Sequence, residues 1–323
     1  MKALVATGYG PPEQLSIAQL PVPEPGPGQV LVKIAASSLN PTDAIVVQGG
    51  FRELVELAFP YVPGNDFAGR VIEIGAGVTR FAVGDEIFGL SMPRQLDFVA
   101  DDNRPSLSTG GLAEYAVVEA DTPLLALRPA SVPAVQAAAL GVVGSTALGL
   151  MKLGEIKPGY RVLVIGATGG VGTAVIPLLA AAQAQIVATS STPAGAQILR
   201  ELGAGEVIGH APEGYPSDVD VVFNLALYPQ ALPSAARALK PGGRFVSIIF
   251  PEPTPELLGR DDVSLRYYLD PDGRFGTMDD VARAAEKGEL SARIAHRFTL
   301  DEAVTAAVTY VREKNVGKIV VTM

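Results

Sequence analysis

The sequence predicts an α/β protein in two parts, an all-β, barrel-like first region and a doubly wound parallel sheet. Three observations predict it. From Met1 to Ala120 short apolar runs are broken by Pro and Gly; after Asp121 Ala-rich helical stretches alternate with buried strands; and Arg161–Gly172 reads as strand, tight turn and helix start in immediate succession.

In the first region Ala3-Leu4-Val5, Leu15-Ser16-Ile17 and Val30–Ile34 read as strands. Pro21-Val22-Pro23-Glu24-Pro25-Gly26-Pro27-Gly28 cannot be helix and forms a rigid connection between the last two. Gly69–Gly75 alternates polar and apolar residues, as a half-buried strand does, and Ala113–Val118 reads similarly. Between them Ser91–Gly110, with Asp97, Asp101, Asp102, Asn103, Arg104 and Pro105, has little periodicity and reads as a lid or a disordered insertion.

In the second region Lys157-Pro158-Gly159 launches the central strand and Lys240-Pro241-Gly242-Gly243 launches another, Arg244–Ile249. Gln185–Thr189 and Asp220–Phe223 are further strands, separated by helical stretches at Ala194–Leu202 and Gln230–Leu239. Pro177 falls inside the helix after the glycine turn and should bend it. Val263–Leu269 reads as the last strand of this sheet. Thr299-Leu300-Asp301-Glu302 starts a helix with Ala303, Val304, Ala307, Val308 and Val311 on one face, and Gly317–Val321 is a final strand that returns to the first region.

Composition narrows the function. Hydrophobic content of 48% with 18% charge describes a packed chain, and 323 residues leave room for two domains. A net charge of −9 offers no general attraction to nucleic acid or acidic membranes. With no cysteine and only His210 and His296, disulfides, thiolate nucleophiles, thiolate metal sites and three-His sites are excluded. Ala134–Met151 approaches membrane-span length, but its Ala, Gly, Gln136, Ser145 and Thr146 fit buried helices better. No signal-peptide pattern opens the sequence, so a cytoplasmic location is expected.

The glycine turn carries the chemistry. It aims unpaired N–H groups and the positive end of a helix at one point, and only residues without bulk let a pyrophosphate come that close. Ala167, Gly169 and Gly172 fill the three positions of the G-x-G-x-x-G frame, with Thr168, Gly170 and Val171 between them, so a dinucleotide is the expected ligand.

Taken together, the residues resemble the medium-chain dehydrogenase/reductase superfamily, and within it the zinc-free quinone oxidoreductase (zeta-crystallin-like) branch. The resemblance rests on Pro25–Val32, Asn40-Pro41-Thr42-Asp43, Pro63–Gly69, Gly75–Phe81, Val83-Gly84-Asp85, Gly110–Tyr115, the glycine turn and Gly317–Val320. It implies a GroES-like β-barrel-type catalytic domain from residues 1–122 and 271–323, a Rossmann domain from 123–270, a cofactor in the cleft and hydride transfer from a reduced nicotinamide. Zinc-dependent members place a Cys where Asn40 stands and a His where Asn65 stands, so a metal-free enzyme is expected. Without zinc the suited acceptors are quinones and α,β-unsaturated carbonyls, whose conjugation spreads the incoming charge.

The resemblance also assigns sites. Asn40, Asp43 and Asn65 are the catalytic candidates lining the nicotinamide; their alternative is turn and helix-start chemistry. Thr146 matches a threonine near the nicotinamide and could instead cap a helix. Where NAD-specific enzymes carry an acid at the end of the second strand, this chain has Ser190-Ser191-Thr192, which favours NADPH, although a lysine found in many NADPH-using relatives is Gly195 here. Ile248 completes the cofactor set. Tyr61, Asp85, Glu114, Tyr115 and His296 read as structural. Related enzymes commonly dimerise through the edge strand at Val263–Leu269, so a homodimer is expected; the alternative is a monomer whose own Pro251–Arg260 covers that edge.

Two other functions stay open. One is an NADP-binding structural or regulatory protein with little catalysis. The other is an enoyl-thioester reductase, which needs a basic patch, and only scattered Arg52, Arg94 and Arg104 offer one. No Gly-x-Ser-x-Gly elbow and no supported carboxylate pair point to a hydrolase.

Overall fold

A computed structural model describes residues 1–53, 56–91 and 110–323. Most of the Ser91–Gly110 stretch, with Arg94 and Arg104, lies outside the described residues. The chain forms two compact units, 1–142 with 271–323, and 143–270.

The first unit begins with β1 (Lys2–Val5) and β2 (Ser16–Gln19), an antiparallel pair. Next come β3 (Gln29–Ser38), α1 (Pro41–Val47), β4 (Asp66–Ile74), β5 (Glu86–Leu90), β6 (Tyr115–Glu119), β7 (Leu125–Leu127) and α2 (Ala134–Gly154). β3 organises them. One of its edges pairs along its length with β4; the other pairs with β6 through Gln29–Lys33. It bends where its register against β4 shifts between Ile34 and Ala36, opposite Gly69, where a Cβ would lie 2.7 Å from Val32 Cγ1. Val30, Val32 and Ile34 thereby share a core with Phe67, Val71, Ile87, Val118 and Leu125. Because β7 pairs with β5, residues 123–142 group with this unit, and the expected boundary after 122 shifts to 142.

The second unit runs through β8 (Arg161–Ile165), α3 (Gly170–Ala181), β9 (Gln185–Thr189), α4 (Pro193–Glu201), β10 (Glu206–Ile208), β11 (Val219–Asn224), α5 (Leu232–Ala236), β12 (Leu239–Ser247) and β13 (Ser264–Tyr267). All pairings are parallel, in the order β10-β9-β8-β11-β12-β13. This is the order of a doubly wound sheet whose direction of winding reverses beside β8, where such sheets place their ligands. Leu163, Val222 and Phe245 pack on α5 through Leu232 and Ala235. Two expectations change here. The helix expected over Gln230–Leu239 shortens to α5, because Pro229 opens a 3-10 turn and Leu239 already belongs to β12. The Lys240–Gly243 turn lies inside β12 as the irregularity between Leu239 and Arg244.

The chain then adds α6 (Met278–Glu286), β14 (Ile294–Thr299), α7 (Ala303–Arg312) and β15 (Lys318–Thr322) to the first unit. β15 pairs with Ala36–Ser38 of β3, and α7 buries Ala303, Ala306 and Ala307 against Leu4, Leu39 and Ile319. α2 is the one described helix long and apolar enough to cross a membrane, and 67% of its apolar window is buried.

Candidate functional site

In the second unit the site grows from the ends of the parallel strands. After β8 the chain turns at Gly166, whose φ of +83° is open to glycine at little cost, and its N–H donates to Thr189 Oγ1 at 3.0 Å. The left-handed residue is therefore Gly166, one position before the Ala167 of the expected frame. Gly169 then caps α3. A Cβ there would meet only Gly166 O at 3.4 Å, so the helix start stays open to a ligand. The first intrahelical bond runs from Thr173 N to Gly169 O, and the N–H groups of Gly170, Val171 and Gly172 point out of the helix start. Gly172 has another reason: a Cβ there would lie 2.5 Å from Ala167 Cα, so only glycine lets helix and turn close up.

The neighbouring strands also end in polar residues. Asn224 is fully buried; its Oδ1 accepts from Leu227 N at 2.7 Å and its Nδ2 donates to Leu227 O at 2.9 Å and Ser247 Oγ at 3.1 Å. It shapes the 225–227 turn, which lies against Gly166. Ile248 follows β12, half-buried, with its N–H bonded to Asn224 O. Thr189, Asn224 and Ser247 were not singled out from sequence, yet the signal was present, since each is the polar residue that ends an apolar strand.

Ser190 follows β9. Its hydroxyl donates to Thr192 O at 3.0 Å and accepts from Thr192 N at 3.3 Å, a local turn that occupies its one donor. Ser191 is exposed, and Thr192 caps α4 by accepting from Gly195 N. Gly195 has no room for a side chain, because a Cβ would lie 2.7 Å from Ser190 Oγ. Thr146 sits within α2, buried, where it and Ser145 hydrogen-bond the Tyr268 hydroxyl. Burial pushes that phenol up to about 12.

The first unit gathers the three catalytic candidates. Asn40 precedes α1, and its N–H donates to Asp43 Oδ2 at 2.8 Å. Asp43 Oδ1 accepts from Gly64 N and Asn65 N at 3.0 Å each, so one carboxylate holds both the helix start and the 64–65 turn. Asn65 Nδ2 donates to Thr42 Oγ1 at 2.9 Å. The Asn40 side chain instead faces a buried ion pair: Lys318 Nζ donates to Asn40 Oδ1 at 2.6 Å, and Asn40 Nδ2 donates to Asp66 Oδ2 at 2.8 Å. Lys318 and Asp66 are 3.1 Å apart, with side chains 4% and 0% exposed. Sequence reasoning missed both.

Three of the residues read as structural, Asp85, Glu114 and Tyr61, hold backbone or stay protonated. Asp85 accepts from Ala82 N and Glu114 from Lys2 N. Burial raises the Tyr61 phenol, with the Asp43 charge adding to the effect. His296 is exposed on β14, its ring 6.2 Å from that of Phe298. Arg52 is engaged by Glu56 and stacks over Tyr9.

Burial pushes the Asp43 carboxyl up from 3.8 to about 6, the Asp66 charge adding to the rise while the Asn40 and Asn65 amides and Lys318 oppose it. The native state therefore holds this proton more tightly than the unfolded chain, and the stability it contributes is present below about pH 4 and lost as pH rises towards 6. Asp43→Asn lacks this step. Thermal unfolding of both proteins from pH 4 to 6.5 should show the native chain losing ground to the variant as pH rises, by at most about 3 kcal/mol. Parallel pH profiles would contradict it.

The family model described as "Alcohol dehydrogenase GroES-like domain" matches residues 26–129, and the one described as "Zinc-binding dehydrogenase" matches 170–266. The quinone oxidoreductase of Rattus norvegicus is 30% identical over 259 residues, 77% of this chain and 73% of that protein. The chloroplastic NADPH-dependent alkenal/one oxidoreductase of Arabidopsis thaliana is 34% identical over 255 residues, 77% of this chain and 62% of that protein. The chain spans about three fifths of the length of the plant relatives it matches. The quinone oxidoreductase structure from Coxiella burnetii, 25% identical, aligns with a TM-score of 0.84 over 100% of this chain and 99% of that one.

Proposed function

Because the chain belongs to the quinone oxidoreductase branch of the medium-chain dehydrogenase/reductase superfamily, we propose that it is a zinc-independent, NADPH-dependent reductase of quinones or α,β-unsaturated carbonyls. The carrying observation is the Asn40 amide. Its oxygen, at the position of a zinc-ligating cysteine in metal-dependent relatives, already accepts from an ammonium at 2.6 Å. A metal ion on that oxygen would face Lys318 at contact distance. Asn65 offers one amide oxygen at most, and the described residues contain no group of three or more His, Cys, Asp or Glu side chains placed to hold a metal. The residues do not fit zinc.

They do fit a dinucleotide. The open cradle at Gly169 and the outward N–H groups of Gly170, Val171 and Gly172 suit a pyrophosphate, with Ile248 and the 225–227 turn beside them. The bound nicotinamide would supply the hydride; the chain's part is to orient it and to give the acceptor oxygen a hydrogen-bond donor, for which the Asn40 and Asn65 amides are the candidates, with the Asp43 carboxylate holding the backbone of both. NADPH is favoured because no carboxylate follows β9, and because Ser191 and Thr192 keep hydroxyls to donate to a 2′-phosphate. The same reading takes the protein as cytoplasmic and, with a net charge of −9, without nucleic-acid or membrane partners.

NADPH oxidation with a panel of quinones and enones tests the activity, and dialysis against a chelator should leave the rate unchanged. A panel without turnover, or a rate that falls with the chelator and returns with zinc, would overturn the reading. Ser190→Asp tests the cofactor: NADPH should bind the native chain more tightly than NADH, and the variant should lose at least about tenfold in NADPH affinity, or 1.4 kcal/mol. Equal affinities in the native chain, titrated by nicotinamide fluorescence, count against NADPH.

We also propose a homodimer joined through β13. Among the described residues this strand ends the sheet with one side unpaired, and just beyond it Leu269 is 67% exposed while Leu265 packs inward. Light scattering at micromolar concentration should report twice the chain mass for the native protein and a monomer for Tyr267→Pro. A native monomer, or a variant that stays dimeric, rejects this surface.

A further inference from the structure

The buried ion pair of the first unit enters the reading above only through Lys318, as a bar to zinc, and its geometry says what else the pair could do. Lys318 has three N–H donors and three acceptors: Leu39 O at 2.7 Å, Asn40 Oδ1 at 2.6 Å and Asp66 Oδ2 at 3.1 Å. Asp66 Oδ2 also accepts from Ser38 Oγ at 2.8 Å, and its Oδ1 accepts from Val142 N at 2.8 Å. Neither charge is left over to meet a substrate. What the pair does grip is Asn40, by both ends of its amide.

That grip is polar in a definite sense. The amide oxygen faces the ammonium and one amide hydrogen faces the carboxylate. Turning the amide over would set its NH2 group against Lys318 and its oxygen against Asp66, replacing two charge-assisted bonds by two repulsions. The amide therefore has one orientation. Asp66 takes one of its two hydrogens, and the second has no acceptor among the described residues.

We propose that Lys318 and Asp66 are positioning residues that lock the Asn40 amide so that its second Nδ2–H is a fixed donor for the acceptor oxygen that gains charge as hydride arrives. The inference rests on the function proposed above. A donor fixed before the reaction needs no reorientation during it, which is the condition under which such a bond accelerates a step. Stability alone is a poor reason for the pair, since buried ion pairs commonly do no better than apolar residues of similar volume.

A variant cycle and a resonance measurement test it. Lys318→Met with Asp66→Asn removes both charges together and leaves neither stranded. In the native background kcat for quinone reduction should fall at least about tenfold, part of the hundredfold or more that one oxyanion donor can contribute, while KM and nicotinamide affinity stay within about twofold. In an Asn40→Ala background the same pair of changes should cost nothing further, because there is no amide left to orient. Equal losses in both backgrounds, or no loss in the native one, would overturn the inference.

The second measurement needs no folded variant of the ion pair. With 15N-asparagine, five side-chain amides are visible, and that of Asn40 is assigned by its absence in Asn40→Ala. Its Nδ2 should have a 15N order parameter of about 0.85, that of rigid backbone, and only one of its two protons should shift when 1,4-benzoquinone is added with the oxidised cofactor. An order parameter below about 0.6, or a pair of protons that quinone leaves unmoved in a chain that reduces it, rejects the proposal. Absence of turnover by the native chain is instead the failure of the function reading, and the order parameter then still decides whether the amide is locked.

Discussion

The Lys318–Asp66 pair sets the terms for the first unit. Withdrawing two charges from water costs several kcal/mol per ion, and the cost is offset only if every remaining donor and acceptor is met. Here they are met by residues from distant parts of the chain: Ser38 at the end of β3, Leu39 and Asn40 before α1, Asp66 at the start of β4, Val142 in α2 and Lys318 at the start of β15. These segments must converge on one point for the charges to be tolerated, and removing one partner strands the other at a cost of about 3–5 kcal/mol. The close approach shows at Gly141, where a Cβ would collide with the Asp66 carboxylate.

The second unit works by opposite means. The turn that follows β8, residues 166–172, has no charged side chain; it uses backbone instead. Gly166 supplies a left-handed turn, Gly169 an open face and Gly172 a close contact, three separate reasons for glycine within seven residues. Thr189 and Asn224 then fix the turns from below, by bonds to Gly166 N and to Ala226 and Leu227 N. On the proposed reading an anion would be met by oriented N–H groups that belong to the fold, so no basic residue is required at that spot.

How far this was legible in the sequence depends on the range over which each cause acts. The β8–α3 turn is local: strand, glycines and helix follow one another, and the structure places them so. β3 reads short from sequence because Ala35-Ala36-Ser37-Ser38 has little apolar signal, yet β15 pairs with that very stretch. Lys318 looks like the solvated residue of an edge strand, and its burial was hidden because Asp66 and Asn40 lie 252 and 278 residues away. Asp43 was singled out from the sequence, but its grip on Gly64 and Asn65 depends on a turn 21 and 22 residues on. Ser190 was read as a phosphate donor by position alone, and position does not reveal that its hydroxyl is engaged by Thr192.

On the proposed reading, the Asn40 environment also bears on which acceptors suit this chain. An ammonium at 2.6 Å from the amide oxygen draws electron density towards it and makes the N–H groups better donors, while the carboxylate at 2.8 Å works against this through the other hydrogen. The result is a donor without net charge. Such a donor can stabilise an oxygen whose incoming charge is shared over a conjugated system, as in a quinone or an enone. An isolated carbonyl concentrates the whole charge on one alkoxide oxygen, and a single neutral donor is then a small part of what a metal would supply. The acceptor preference follows from how the charge is spread, with quinones ahead of enones and saturated carbonyls last.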